Sequence, residues 1–144
     1  MKHEIPWIGY RNDLSHESYI YDFLSTQIER AGHKILRIPD SRSGIEFLRG
    51  RHYSSLILSD FLQTGGLRVP IGIDHSKDPM MFAAYVSESI GEISGYENSQ
   101  IIMPHLLIYD DIGFLRLVNP KIRFVDFYDK ESALKEILEL IDDG

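Results

Sequence analysis

Residues Ser55-Leu56-Ile57-Leu58-Ser59-Asp60-Phe61 form an apolar run that stops at a carboxylate, and Gly65-Gly66 follow soon after. A run of this length bracketed by turn formers reads as a strand buried on both faces, the pattern of the middle of a parallel sheet. In open α/β sheets the ligand crevice lies beyond the carboxyl ends of the strands, which is where Asp60 would stand. Asp in that place also serves as a turn or helix-capping residue, so position alone leaves both roles open. Asp74, His75 and Asp78 bring ligand-type side chains close together in sequence. A metal site needs converging geometry that spacing does not supply, and an acidic loop explains the same residues. His3, His16, His33, His52 and His105 follow no pairing rule and read as surface or half-buried residues. No GxGxxG or Walker-type loop follows the first strand, and no Gly-x-Ser-x-Gly elbow occurs.

The elements that would position Asp60 alternate along the chain. Ile5-Pro6-Trp7-Ile8-Gly9-Tyr10 reads as a first strand, with Pro6 tolerated near its start. From Ser15 to Ala31, apolar residues at Tyr19, Ile20, Phe23, Leu24, Ile28 and Ala31 recur at helical spacing, and Gly32 suits a left-handed cap. A second strand covers His33 to Ile38. Ser43 is a candidate cap for a short helix from Gly44 to Gly50, ahead of the third strand. Gly65 to Ile73 holds too much Gly and Pro for a helix and reads as part of an extended segment over about residues 65–78. Asp78-Pro79 opens a helix that would run to Gly95. A fourth strand falls within Ile101 to Ile108, a short or broken helix from Asp110 to Val118, and a fifth strand over Ile122 to Phe127. The last helix, Lys130 to Ile141, has Asp129 and Glu131 at its positive end. Five alternations of strand and helix predict a three-layer α/β/α sandwich with a five-stranded parallel sheet in the flavodoxin-like order 2-1-3-4-5.

Composition narrows the class. With 144 residues, 43% of them hydrophobic, the chain has enough apolar surface for the core of one domain, and no repeat or linker divides it. The net charge of −7 argues against nucleic acid, which needs a concentrated basic surface, and leaves proteins or small molecules as partners. The absence of cysteine excludes disulfides and thiolate zinc sites and fits a reducing cytosol. The N-terminal residues have no signal-peptide core, and no later stretch is an apolar run of membrane-spanning length, so a cytoplasmic protein without membrane attachment is expected.

Between Ile20 and Gly66, Glu29-Arg30-Ala31-Gly32-His33-Lys34-Ile35-Leu36, Gly44-Ile45-Glu46-Phe47-Leu48 and Leu56-Ile57-Leu58-Ser59-Asp60 resemble the receiver domain of response regulators in spacing and residue type. The resemblance implies that Asp60 is the phosphoacceptor, with Asp13 and Asp60 as ligands of Mg²⁺. Other parts depart from the family. Receivers place a pair of acids directly after the first strand, where this chain has Tyr10, Arg11, Asn12 and Asp13. The Ser or Thr after the fourth strand has no counterpart among His105, Tyr109 and Asp110, and Phe127-Tyr128 stand for the family's Lys-Pro. Phosphoryl transfer onto a carboxylate concentrates negative charge, which a divalent cation and an ammonium normally offset. Arg11 could take the place of the metal by pairing with Asp60. The expectation is therefore an atypical or pseudo-receiver, a switch-like module binding a protein partner, with the phosphoaccepting version as alternative.

A second resemblance covers the two ends. Trp7-Ile8-Gly9-Tyr10-Arg11-Asn12-Asp13, Ile101-Ile102-Met103-Pro104 and Arg123-Phe124-Val125-Asp126-Phe127 are similar to strands of TIR domains, some of which cleave nicotinamide dinucleotides with a helix-borne Glu. Glu88 is the nearest candidate for that catalytic role, although the family's Trp-containing motif around it is absent and the region from Gly44 to Ser59 is short for that family. Tyr85, Phe114, Phe127 and Tyr128 are candidates for a partner surface, although aromatic residues near strand ends and on amphipathic helices more often belong to the core.

Overall fold

The computed structural model describes residues 3–10, 16–59, 62–73, 79–105 and 122–143, with backbone alone for 16–18, 79, 80 and 105. Strands β1 (Glu4–Ile8), β2 (Lys34–Ile38), β3 (Ser55–Leu58), β4 (Gln100–His105) and β5 (Ile122–Asp126) alternate with helices α1 (His16–Arg30), α2 (Ser41–Leu48) and α3 (Pro79–Gly91), and α4 (Lys130–Asp143) follows β5. All strand pairs are parallel and the order is β2-β1-β3-β4-β5, as the alternation predicts. The expected helix over Asp110–Val118 lies outside the described residues, as do Arg11, Asp13, Asp60, Asp74, His75, Asp78, Tyr109 and Phe114.

Strand composition follows position in the sheet. All four residues of the central β3 are buried, whereas the edge strands β2 and β5 alternate with exposed positions. Successive strand residues point to opposite faces and so feed two separate cores. Ile5, Trp7, Ile57, Ile102 and Val125 meet α1 and α4 on one face, while Ile8, Leu56, Leu58, Ile101 and Met103 meet α2 and α3 on the other. On α4, Ala133, Ile137 and Ile141 lie four residues apart and are at most 1% exposed, so each isoleucine contributes about 1.5–3 kcal/mol of burial. Two prolines sit inside strands without breaking the ladder. Pro6 pairs with β2, and β1 meets β3 only from Trp7 onward; Pro104 pairs with β5 beyond the point, Ile102, where β3 pairing ends.

Several boundaries differ from the sequence expectation. β1 ends at Ile8, because Gly9 has φ +87° and turns the chain, so Gly9-Tyr10 belong to the loop. α2 begins at Ser41, not Gly44, and Asp40 is its cap, with Oδ1 accepting the Ser43 N–H at 2.8 Å. Ser41 and Arg42 donate their N–H groups to the Gln63 and Thr64 carbonyls, which satisfies the first turn from the chain after β3. That approach requires Gly65, since a Cβ there would fall inside the Asp40 carboxylate. α3 stops at Gly91 rather than Gly95, and bonds from Ile93 to Ile90, Tyr96 to Ile93 and Ser99 to Tyr96 carry the chain on in tight turns. α1 ends as its glycine predicts. Gly32, at φ +101°, donates to Glu29 and His33 donates to Ile28, a Schellman closure. His33 is buried rather than half-buried, its Nδ1 accepting the His3 backbone N–H at 3.1 Å.

Candidate functional site

In a 2-1-3-4-5 sheet the chain leaves β1 toward one edge and β3 toward the other, so the crevice opens beyond the ends of these two strands. Ser59 is the last described residue on the β3 side. Its N–H donates to the Ile8 carbonyl at 3.0 Å, and its hydroxyl accepts the Trp7 indole N–H at 2.9 Å while donating to the Gly9 carbonyl at 3.0 Å. Trp7 and Ser59 are fully buried, so this hydroxyl joins the two strand tips where no water competes. Gly9 lies so close that a Cβ would stand 2.7 Å from Leu62 Cδ2 and 3.0 Å from Ser59 Cβ.

Tyr10 folds back toward α1 instead of lining an open crevice. Its N–H and that of Gly9 both donate to the Ile38 carbonyl, and its hydroxyl donates to Asp22 Oδ1 at 2.9 Å and lies 3.1 Å from Ser25 Oγ. Trp7, Tyr10 and Tyr21 pack as a triad with ring centroids 5.1–5.7 Å apart. The Arg37 guanidinium covers the Tyr10 ring at 5.0 Å and pairs with Glu29 at 2.7 Å. Hydrogen bonds to Glu29 and then to Tyr10 push the Arg37 pKa above its ordinary value. The two positions directly after β1 are thus a glycine and a buried phenol held in place by α1 and β2.

At the β5 end, Phe127 is buried and meets Phe23 edge to face at 6.1 Å. Asp126 ends the strand with its carboxylate accepting the Tyr128 N–H at 3.1 Å, and Tyr128 is exposed. Asp129 caps α4. Its carboxylate accepts from the Ser132 hydroxyl at 2.8 Å and the Glu131 N–H at 3.2 Å, and the Ser132 bonds hold its pKa below the ordinary carboxylate value. Glu88 is exposed on α3, beside buried Ser87 and half-buried Ser89, on the same solvated side as Glu92. Asp13 and Asp60, the candidate metal ligands and phosphoacceptor, lie outside the described residues, and among the described ones no group of three His, Asp or Glu side chains converges to hold an ion. No described helix is long and apolar enough to cross a membrane.

The Trp7–Ser59 link, the Tyr10–Asp22–Ser25 group and the Arg37 cover escaped the sequence reading. The one local signal was Ser59 itself, a hydroxyl at the end of an otherwise apolar strand.

No protein-family model matches the chain, and no curated protein matches it by sequence. Solved structures do match. The chemotaxis response regulator CheY4 of Vibrio cholerae superposes with a TM-score of 0.67 at 10% identity, over 97% of this chain and 99% of that one. The receiver domain of a sensor histidine kinase from Pseudomonas aeruginosa, described with a magnesium ion in its active-site cleft, gives 0.67 at 11% identity over 100% of both chains. At such identities the likeness establishes the fold, which is that of receiver domains.

Proposed function

We propose that this chain is a signal-transduction module of receiver type that acts by binding a protein partner and does not transfer phosphoryl groups efficiently. The observation that carries the reading is the pair directly after β1. Gly9 offers no side chain, and the Tyr10 phenol is buried against Trp7 and Tyr21 and bonded to Asp22. Transfer of a phosphoryl group to a carboxylate such as Asp60 needs a cation and an ammonium to neutralise the developing charge. Neither Gly9 nor Tyr10 supplies a carboxylate for Mg²⁺, and β5 ends at Asp126 and is followed by Phe127 and Tyr128, with no lysine at either position. A receiver fold without this chemistry keeps its surfaces, and surfaces are what a binding module uses.

The test is incubation with acetyl phosphate and Mg²⁺ followed by intact-mass measurement. No stable phosphorylated species is expected. Stoichiometric incorporation that disappears in Asp60→Asn would replace this reading with the phosphoaccepting one, in which Asp13 and Asp60 hold the metal. Incubation with NAD is expected to release no nicotinamide; release abolished by Glu88→Ala with the fold retained would favour the TIR-type enzyme.

A further inference from the structure

Away from the strand tips, a groove of about 530 Å³ runs between α2 and α3. Ile45, Leu67, Tyr85 and Ile93 line it, and all four belong to or pack on the apolar core, so its walls are fixed by the fold. The Tyr85 hydroxyl donates to the Arg68 carbonyl at 3.2 Å and ties the segment 67–73 to α3. Tyr85 also lines a second hollow of about 320 Å³ with Arg68, Val69, Pro70 and Ile71. The two hollows thus share the Tyr85 side chain. Ile71 stands at the tip of the turn closed by Ile73 N–H to Pro70 and is fully exposed, although neighbouring Val69 and Ile73 pack inward. Ile71 thus adds an exposed apolar group beside the lined hollow.

Charge says what the groove accepts. The chain carries a net −7, and α4 alone bears five acids against two lysines. The described residues of 41–73 reverse this balance, with Arg42, Arg49, Arg51 and Arg68 against Glu46. Arg42 is occupied by Glu46 at 3.2 Å, and Arg51 by the Phe47 carbonyl and ring. Arg49 and Arg68, one on each hollow, have no ion-pair partner among the described residues, and Glu92 on the α3 side offsets only one of them. Among the described residues, charge thus favours an acidic ligand here over the acidic α4 surface.

We infer that this α2–α3 groove docks a short partner segment combining apolar side chains with carboxylates, the apolar groups seated on Tyr85, Ile93 and Ile71 and the carboxylates paired with Arg49 and Arg68. The inference rests on the protein-binding reading above and gives that reading its surface and its partner chemistry. The probe is a fluorescein-labelled twelve-residue peptide of alternating acidic residues and Leu or Phe, titrated against the full chain at low salt by fluorescence anisotropy. Saturable binding is expected, weakened about tenfold or more by Arg49→Glu with Arg68→Glu and severalfold by Ile71→Ser, and unchanged by Tyr19→Ser on the opposite face. All of these positions are exposed, so the fold should survive every substitution. Peptides with Lys for the acids or Ser for the apolar residues are expected to bind about tenfold more weakly or worse. Absence of saturation, equal binding of all three peptides, or indifference to the arginine reversal overturns the groove. Binding that is lost instead on substitution of another face overturns the groove and leaves the protein-binding reading standing. Turnover of acetyl phosphate or NAD would remove that reading, whatever the groove titration gives.

Discussion

Ser59→Ala removes one oxygen from the most enclosed corner of the molecule, and its cost follows from what that oxygen touches. The hydroxyl accepts from Trp7 Nε1 and donates to the Gly9 carbonyl, and both Ser59 and Trp7 are fully buried. The alanine leaves the indole N–H and a backbone carbonyl without this partner in a place water does not reach. Each orphaned group costs about 1–3 kcal/mol, so a combined loss of roughly 2–6 kcal/mol is expected, a large fraction of the ~5–15 kcal/mol that holds a domain together. Urea unfolding followed by far-UV circular dichroism measures it directly. Trp7 is the only tryptophan in the chain, so its emission independently reports whether the corner stays closed. Because Trp7→Phe removes the donor, Ser59→Ala should cost about 1–2 kcal/mol less in that background, which a double-mutant cycle resolves. A loss below about 0.5 kcal/mol, or no coupling between the two positions, would refute the claim that this hydroxyl joins the tips of β1 and β3.

Gly44→Ala should destabilise by about 1–2 kcal/mol although alanine favours helix by about 1 kcal/mol, because the new Cβ would stand 2.8 Å from three carbons of Ile8; urea midpoints test it, and Ile8→Val should recover part of the loss. His33 should make stability depend on pH. Burial lowers its pKa below the ordinary 6.5, and the opposing pull of Asp142 does not reverse this, so below about pH 6.5 the unfolded chain takes up a proton that the folded one resists. Stability is therefore full above that pH and falls as pH drops from 7.5 to 5, by an amount that thermal melts should show to shrink in His33→Phe.

The sheet was legible because its signals are redundant. β3 is apolar at every position, α4 repeats its core residues every fourth place, and Gly32 closes α1 where helical periodicity ends. Alternation and crossover handedness predicted a parallel sheet, and the order 2-1-3-4-5 came from choosing the flavodoxin-like arrangement among those that satisfy both. The corner beyond β1 was not legible, for physical reasons. Gly9 and Tyr10 extend an apolar run, and only the positive φ of Gly9 separates strand from loop. Asp40 and Ser43 are equally good caps in sequence; the choice is made by Gln63 and Thr64, whose carbonyls reach the first turn of α2 from about twenty residues away. The Trp7–Ser59 bond spans 52 positions, and no local pattern encodes a contact of that range.

The same corner also limits what the fold can be made to do. A ligand using the space beside Ser59 through the β1 loop would have to displace Tyr10, which is 5% exposed and packed on two aromatic rings under Arg37. An aromatic side chain of this kind buries about 200 Å², and at about 25 cal/mol per Å² its release costs up to about 5 kcal/mol before the hydrogen bond to Asp22 is counted. At a cost of about 5 kcal/mol the open form is populated at roughly one part in a few thousand, and an effector must bind it by a comparable factor better than the closed form to make it dominant. A few carboxylate contacts to a weakly held cation would be largely consumed by that preference. A macromolecular partner bound on an exposed face meets no such barrier. Among the described residues, the packing of Tyr10 thus occupies the β1 side of the strand tips, and the proposed binding role draws on exposed faces that this packing leaves untouched.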